Sequence, residues 1–587
     1  MNAVNQDNPQ PEIPSALPAR ERIRARLTYL YGESDVQEIE DRILRLLMSH
    51  ERLRTRTRQG ELWTQEDVVL ITYGDSIQTT AQAPLQTLHA FLNEHLKDAL
   101  NMVHVLPFFP WSSDDGFAVT DFRAVKAELG TWQDIEDLSA DFDLAIDLVL
   151  NHCSREHLWV VDFISGEEPA CNYFIELDPS TNVSMVTRPR STPVLSGIRT
   201  QRGLRYLWTT FSNDQVDLNY ANPDVLIEFI ELLLSYVRHG ARLLRLDAVA
   251  YLWKQLGTAC IHLPQTHQVV KLFRDILEIV EPAVLIMTET NVPHQENMRY
   301  FGEGDEAHVI YQFSLPPLLL HALHAGSSRY LNAWAIGLES FEQPSGCTCL
   351  NFTASHDGVG LRPLEGLVPE DGIREMLDTM RERGGYISTK SNSDGSESPY
   401  ELNISYFDAF REPEGDNRWH VPKFMVSQII SLSFRGIPAV YIHCLTATPN
   451  DTIGVERTGM TRSVNRRKWD LGELQYQIGN LESDTGRVFT LYVRLLELRR
   501  RQVAFHPDAT QRILSPDERV FCFERTSLNG RQRILVLANL SGDEVELDLE
   551  QLPTQLSRRE ELLGLNSPVF EHGLLRVEPY AVFWFSE

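Results

Sequence analysis

The chain has 587 residues, 42% of them apolar and 23% charged, which is the balance of a soluble globular protein long enough for a large catalytic domain with accessories. Its formal net charge of -28 argues against nucleic acid and anionic membranes as partners, because both require a basic surface. No apolar run approaches the roughly 18 residues that span a bilayer, and the seven cysteines are irregularly spaced, as expected of reduced thiols in a cytoplasmic protein.

Residues 1 to about 19 are rich in Pro, Asn and Gln and are expected to be disordered. They lack the basic start and apolar core of a signal peptide. From Glu21 to about Arg58, Ile39, Ile43, Leu44, Leu46 and Leu47 recur near a 3.6-residue period. That period predicts two helices packed on the outside of the main domain. Arg52, Arg54, Arg56 and Arg58 read as a solvated face. Residues 1–64 are thus a disordered start and a helical extension.

Short runs rich in Val, Ile and Leu then recur at Val68–Tyr73, Met102–Leu106, Leu144–Val149, Arg242–Leu246, Val284–Met287, Val309–Phe313, Thr348–Phe352 and Ile437–Ile442. Between most of them lie amphipathic stretches such as Leu226–Val237 and Val269–Ile279. Strands alternating with helices imply an α/β fold with a parallel sheet. Eight such units predict a closed (β/α)8 TIM barrel over 65–502. An open doubly wound sheet is the competing architecture, but no GxGxxG follows the first strand.

Two connections are too long for simple loops. One, about 153–220, is full of Pro, Ser, Thr and Asn; the other, about 358–420, is rich in Gly, Ser, Asp and Glu. Both follow the C-terminal end of a strand, so both should cover the barrel mouth. After a predicted long helix, Val488–Arg501, the runs Val520–Glu524, Ile534–Leu537, Glu544–Leu549 and Ala581–Phe585 predict an all-β domain over 503–587.

Polar residues collect at the strand ends: Asp147 to His152, Arg245-Leu246-Asp247, Thr288-Glu289-Thr290-Asn291 and Ser355-His356-Asp357. In a barrel all four ends face one mouth. Arg245 and Asp247, two positions apart on a strand, share a face. A buried structural ion pair is one reading of them. A metal site is a reading of the whole cluster, but no His pair has the i, i+4 spacing and no Cys joins in, so neither metal nor other cofactor is expected. Carboxylates on adjacent strands suit glycosyl transfer, in which one acts as nucleophile and one as acid/base at about 5 Å separation. Arg245 should lower the pKa of Asp247, and desolvation should raise that of Glu289.

These four segments resemble the signature regions of the α-amylase superfamily of retaining glycosidases (glycoside hydrolase family 13), in order and spacing, from about Val68 to Arg501. The resemblance implies Asp247 as nucleophile, Glu289 as general acid/base and Asp357 as transition-state stabiliser. Arg245, His152 and His356 would hold the sugar. Leu106-Pro107-Phe108-Phe109-Pro110, Asp114-Asp115-Gly116-Phe117, Gln215-Val216-Asp217 and the run Leu315 to Leu323 are similar to the sucrose phosphorylase branch. By that likeness Asp114 binds glucosyl hydroxyls, Phe117 and Phe211 form apolar walls, and Arg466 closes the pocket. Gln215, Tyr251 and Asn291 complete the implied substrate-binding set. Phe117 and Phe211 also suit plain core positions, and Arg466 a surface salt bridge.

In that branch phosphate attacks the glucosyl-enzyme. Arg205, in the first insertion, is the implied phosphate arginine; a solvated loop charge is its alternative. Asn291 stands where the branch commonly has histidine, and the segment from Leu361 to Leu367 looks shortened, with Arg362 available to an acidic acceptor. The N-terminal extension, Asn291 and the short Arg-Pro loop resemble the glucosylglycerate phosphorylases. The implied substrates are an α-glucoside, inorganic phosphate and glucose 1-phosphate, with glycerate as acceptor. Sucrose, sucrose 6'-phosphate, glucosylglycerol, or hydrolysis and transglucosylation remain the alternatives. The resemblance allows a homodimer.

Overall fold

A computed structural model describes residues 17–50, 61–391, 396–415, 417–553 and 555–587. The expected disorder of residues 1–16 and the solvated face Arg52, Arg54, Arg56 and Arg58 lie outside the described residues.

All eight predicted runs form strands: β1 (Val69–Thr72), β2 (Met102–Val105), β3 (Asp143–Leu148), β4 (Ala241–Leu246), β5 (Leu285–Thr288), β6 (Val309–Tyr311), β7 (Thr348–Asn351) and β8 (Ile437–Tyr441). They close into one barrel in chain order, every neighbouring pair parallel. Nearly every strand residue is buried. Parallel strands are covered on both faces, inside by barrel side chains and outside by helices, so they read as mainly apolar runs. The covering helix Pro223–Arg238 starts where Asn222 accepts the Asp224 N–H and Pro223 sets the first turn. It buries Val225, Leu226, Phe229, Ile230, Leu233 and Val237 against the barrel.

The N-terminal helices are α1 (Ala19–Tyr31) and α2 (Val36–Ser49). α1 lies on the helix Pro264–Val280 that follows β4. Arg22 Nε and Arg26 Nε each reach an Asp275 oxygen at 2.6 Å, and Arg26 and Asp275 are each 1% exposed. The extension is therefore docked through a buried ion cluster rather than appended loosely.

Both long connections carry their own structure over the mouth. The first includes a helix (Leu158–Ser165) and an antiparallel hairpin (Leu195–Thr200 with Gly203–Trp208). The second includes a helix (Glu370–Glu382) and a sheet in which Glu397–Asn403 lies between Tyr386–Ser391 and Val359–Gly360. After the helix Asp484–Arg500, the C-terminal strands form a five-stranded and a three-stranded sheet. Alternation along the strand Val520–Thr526 explains their layering. Phe521 and Phe523 join the main core, while Val520 and Cys522 join a second core with Leu535, Leu547 and Leu575.

Candidate active site

The ends of β3, β4, β5 and β7 open into one cavity at the C-terminal mouth, lined by Asp247, Glu289, Asp357, Asp114, His152 and His356 among others. Asp247 follows β4, and its N–H still bonds to Leu148 O at 3.1 Å, which holds it in register with β3. Arg245 points the same way, as the strand period requires. Its Nη1 donates to Asp247 Oδ1 at 2.7 Å and to Asp147 Oδ1 at 2.5 Å. His104 Nε2 lies 2.7 Å from the other Asp147 oxygen.

One arginine thus serves two carboxylates, and this overturns one expectation. Desolvation raises the Asp247 pKa above the usual aspartate value in spite of Arg245, and the Asp147 charge pushes it the same way. Arg245 limits the rise instead of reversing it.

Glu289 sits one strand over, its N–H bonded to Leu246 O at 3.1 Å. Its Oε2 accepts the Ala248 N–H at 3.0 Å. Desolvation pushes its carboxyl up to about 7, with Asp247 and Asp357 adding to the rise. Asp357 goes the other way. Desolvation would raise it, but the Arg462 and Arg245 guanidiniums hold it well below the usual carboxylate range. Arg462 Nη1 is 2.7 Å from Asp357 Oδ1. The mouth therefore holds one proton-bearing acid, one carboxylate that stays ionised, and Asp247 between them. That division suits acid/base, stabiliser and nucleophile.

The walls are built around these acids. Phe117 stacks on His356 with centroids 4.8 Å apart and planes 6° off parallel. Desolvation and the nearby Arg245 and Arg466 keep His356 neutral, well below its usual pKa. His152 Nε2 lies 2.9 Å from Phe117 O and 3.2 Å from Gln215 Nε2. Phe211 packs against His152 and edge-on against Tyr251. Phe117, Phe211, Gln215 and Asn291 all line the cavity. Asn291 is pressed onto the second insertion: a Cβ on Gly360 would lie 2.5 Å from Asn291 Oδ1, so a larger residue there would have to push the Asn291 side chain aside.

Asp114 and Asp115 both adopt left-handed backbone, φ 53° and 49°, which aspartate tolerates better than most residues. Arg466 sits behind this turn. Its Nη1 reaches Asp115 at 3.1 Å and its Nε donates to His356 O at 2.8 Å. It is buried, so it is not a surface salt bridge, but it braces the cavity from outside the lining. Tyr251 likewise supports Phe211 from outside the lining.

Two expected anion-binding arginines stand elsewhere. Arg205 lies on the hairpin of the first insertion, paired with Glu176 at 3.5 Å and donating to Arg202 O at 2.9 Å, and is not among the lining residues. Its strand turns the side chain towards Glu176, not towards the mouth. Arg362 lies on the turn Arg362–Leu364, close to His262 and Glu296, and also falls outside the lining. The arginines that do line the cavity are Arg190 and Arg462, together with Tyr400 and Glu401. Arg462 is four residues before Arg466, and Arg190 ends the run Thr187-Arg188-Pro189-Arg190. Clustered charge along the chain marks both arginines, but not the direction in which either points. No group of three His, Cys, Asp or Glu among the described residues is arranged to hold a metal.

An eight-stranded parallel barrel with paired carboxyls on adjacent strands and a third acid held ionised defines a retaining glycosyl-transfer enzyme of the α-amylase type. A family model for the α-amylase catalytic domain matches residues 95–357. A glucosylglycerate phosphorylase of Spirochaeta thermophila is 44% identical over 532 residues, covering 90% of each chain. One of Escherichia coli is 41% identical over 513 residues, covering 87% of this chain and 91% of its own. In fold, the crystal structure of sucrose 6F-phosphate phosphorylase from Thermoanaerobacter thermosaccharolyticum superposes with a TM-score of 0.70 at 24% identity, over 83% of this chain and 96% of that one. The chain belongs to the sucrose phosphorylase-like branch of the α-amylase superfamily, glycoside hydrolase family 13.

Proposed function

We propose that this chain is a retaining α-glucoside phosphorylase that cleaves 2-O-α-glucosylglycerate with inorganic phosphate, reversibly, to α-glucose 1-phosphate and glycerate. The chemistry rests on one observation: Asp247 and Glu289 stand on adjacent strands, with the glutamate carboxyl raised to about 7. Asp247 attacks the anomeric carbon while Glu289 gives its proton to the leaving glycerate oxygen. A β-glucosyl ester on Asp247 results. Asp357, kept ionised by Arg462, stabilises the positive charge that develops on the sugar ring. Phosphate then attacks, giving up a proton to Glu289, and the second inversion restores the α configuration.

The choice of glycerate is supported by the two relatives named above as glucosylglycerate phosphorylases. Phosphate as nucleophile needs a cation in an acid-lined mouth, and Arg190 is the candidate the cavity offers in place of Arg205. No helix among the described residues is long and apolar enough to cross a membrane, and all seven cysteines are unpaired. Those thiols favour a reducing cytoplasm as the site of the reaction.

The test runs the reaction in reverse. The enzyme is given α-glucose 1-phosphate with D-glycerate, fructose, fructose 6-phosphate or glycerol, and phosphate release is measured. D-Glycerate should give the strongest response. A strong fructose response with none for glycerate sinks the acceptor choice, and equal release with and without acceptor points to a hydrolase.

A further inference from the structure

On the phosphorylase reading, the cavity must take in an anion, although acids outnumber arginines in its lining. Five carboxyl groups line it, from Asp114, Asp247, Glu289, Asp357 and Glu401, beside only two arginines. Arg462 is fully engaged: it reaches Asp357 at 2.7 Å and Glu401 at 2.9 Å through Nη2 and 3.3 Å through Nε. Arg190 is not. Among the described residues, its guanidinium has a loose approach to Glu401 Oε2 at 3.9 Å and lies 5.5 Å from the Tyr400 ring centre.

Glu401 is 2% exposed, yet it does not depend on Arg190. Its Oε1 accepts the Gly358 N–H at 2.8 Å as well as Arg462 Nη2 at 2.9 Å, and its Oε2 accepts Arg462 Nε. Breaking an ion pair is costly mainly when it strands the other charge. Here Arg190 can leave and Glu401 stays paired. Glu401 is in turn held in place, because its Oε1 accepts the Gly358 N–H and both of its oxygens accept from Arg462.

We propose that Glu401 is a specificity-determining positioning residue. It parks Arg190 at the mouth of the empty site and yields it to an incoming phosphate dianion or to the carboxylate of the acceptor. The exchange replaces a 3.9 Å contact with the fork geometry in which guanidinium binds oxyanions best. A neutral acceptor gains nothing from the exchange, so Glu401 sets the balance between charged and uncharged acceptors.

Glu401→Gln keeps the size and an accepting oxygen but removes the charge. Steady-state kinetics with one glucosyl donor then compares phosphate with glycerol as acceptor. The KM for phosphate should fall about threefold to tenfold, and that for glycerol should change less than about twofold. Added to Arg190→Gln, the Glu401→Gln change should leave the phosphate KM where Arg190→Gln put it. Equal shifts for both acceptors, or the full gain retained without Arg190, overturn the proposal. A second measurement needs no variant. Phenylglyoxal, an arginine reagent, should modify Arg190 in the empty wild type, with phosphate protecting it and glycerol not, as mapped by mass spectrometry. Absence of protection by phosphate also overturns it. A wild type whose turnover ignores phosphate removes the phosphorylase reading itself, and is seen before any variant is made.

Discussion

Glu289 Oε2 accepts the backbone N–H of Ala248, the residue after Asp247, at 3.0 Å. The proposed acid/base is thereby tied to the main chain of the proposed nucleophile. Ala248 has φ +51°, a left-handed conformation that costs an L-residue about 1–2 kcal/mol. The turn aims its N–H across to β5, so the spacing of the two carboxyls is set by backbone and not by side-chain rotamers alone. Strain kept at such a point is what a preorganised site requires.

The raised carboxyl of Glu289 predicts a pH profile. With a value of about 7, kcat/KM for the glucoside should decline as pH rises through it, about tenfold per unit beyond. The acid limb should lie above 3.8, because desolvation raises Asp247 from that value. Stability follows the same group. Folded Glu289 holds its proton more tightly than the unfolded chain does. Its contribution is therefore complete below the unfolded value of 4.5 and is lost as pH rises through about 7. Glu289→Gln should flatten the slope of Tm against pH in that window. An unchanged slope assigns the effect to another group.

Arg462 joins Asp357 to Glu401, so Arg462→Gln should leave a buried carboxylate short of its cation. We expect a loss of about 3 kcal/mol in stability and a drop of at least about 10²-fold in kcat/KM. Without Arg462 the Asp357 pKa must rise from its lowered position, which NMR titration of the Asp357 carboxyl reads directly. An unchanged Asp357 titration in this variant would show that Asp357 does not rely on Arg462.

Arg190 and Arg205 should behave differently. Arg190→Ala is expected to raise the KM for phosphate at least about tenfold while slowing formation of the glucosyl-enzyme less than about threefold. Rapid-quench kinetics with α-glucosyl fluoride separates the two steps. Arg205→Ala, which breaks a partly exposed pair with Glu176, should change either step less than about twofold. A larger phosphate effect at Arg205 would return the anion site to the hairpin.

The N-terminal extension should matter for stability and not for chemistry. Arg26→Ala leaves Asp275 buried with Arg22 as its remaining cation, and we expect a loss of about 3 kcal/mol measured by urea unfolding. Turnover at 25 °C should stay within about twofold of wild type. An Arg26→Ala protein as stable as wild type would mean that α1 docks through its apolar face alone, with Ile23, Leu27 and Leu30.

The barrel and its acids were legible in the chain because they obey a local period. A strand covered on both faces is a mainly apolar run, and the residues that follow it reach the mouth. Asp247, Glu289 and Asp357 could therefore be placed from spacing and from likeness to a family. Arg190, Arg462 and Glu401 could not, since they come from insertions and loops whose paths follow no period and whose side chains meet only after the barrel closes. Arg205 shows the same limit: a hairpin edge, not spacing along the chain, turns it to Glu176. The pKa of Asp247 needed the fold as well. A neighbouring arginine is visible in Arg245-Leu246-Asp247, but only the tertiary structure shows that Asp147 shares it and that desolvation outweighs what is left. Sequence determined which strands carry the acids of the mouth; packing in three dimensions decided their charge and which arginines reach them, because desolvation and long-range ion pairing belong to the assembled mouth.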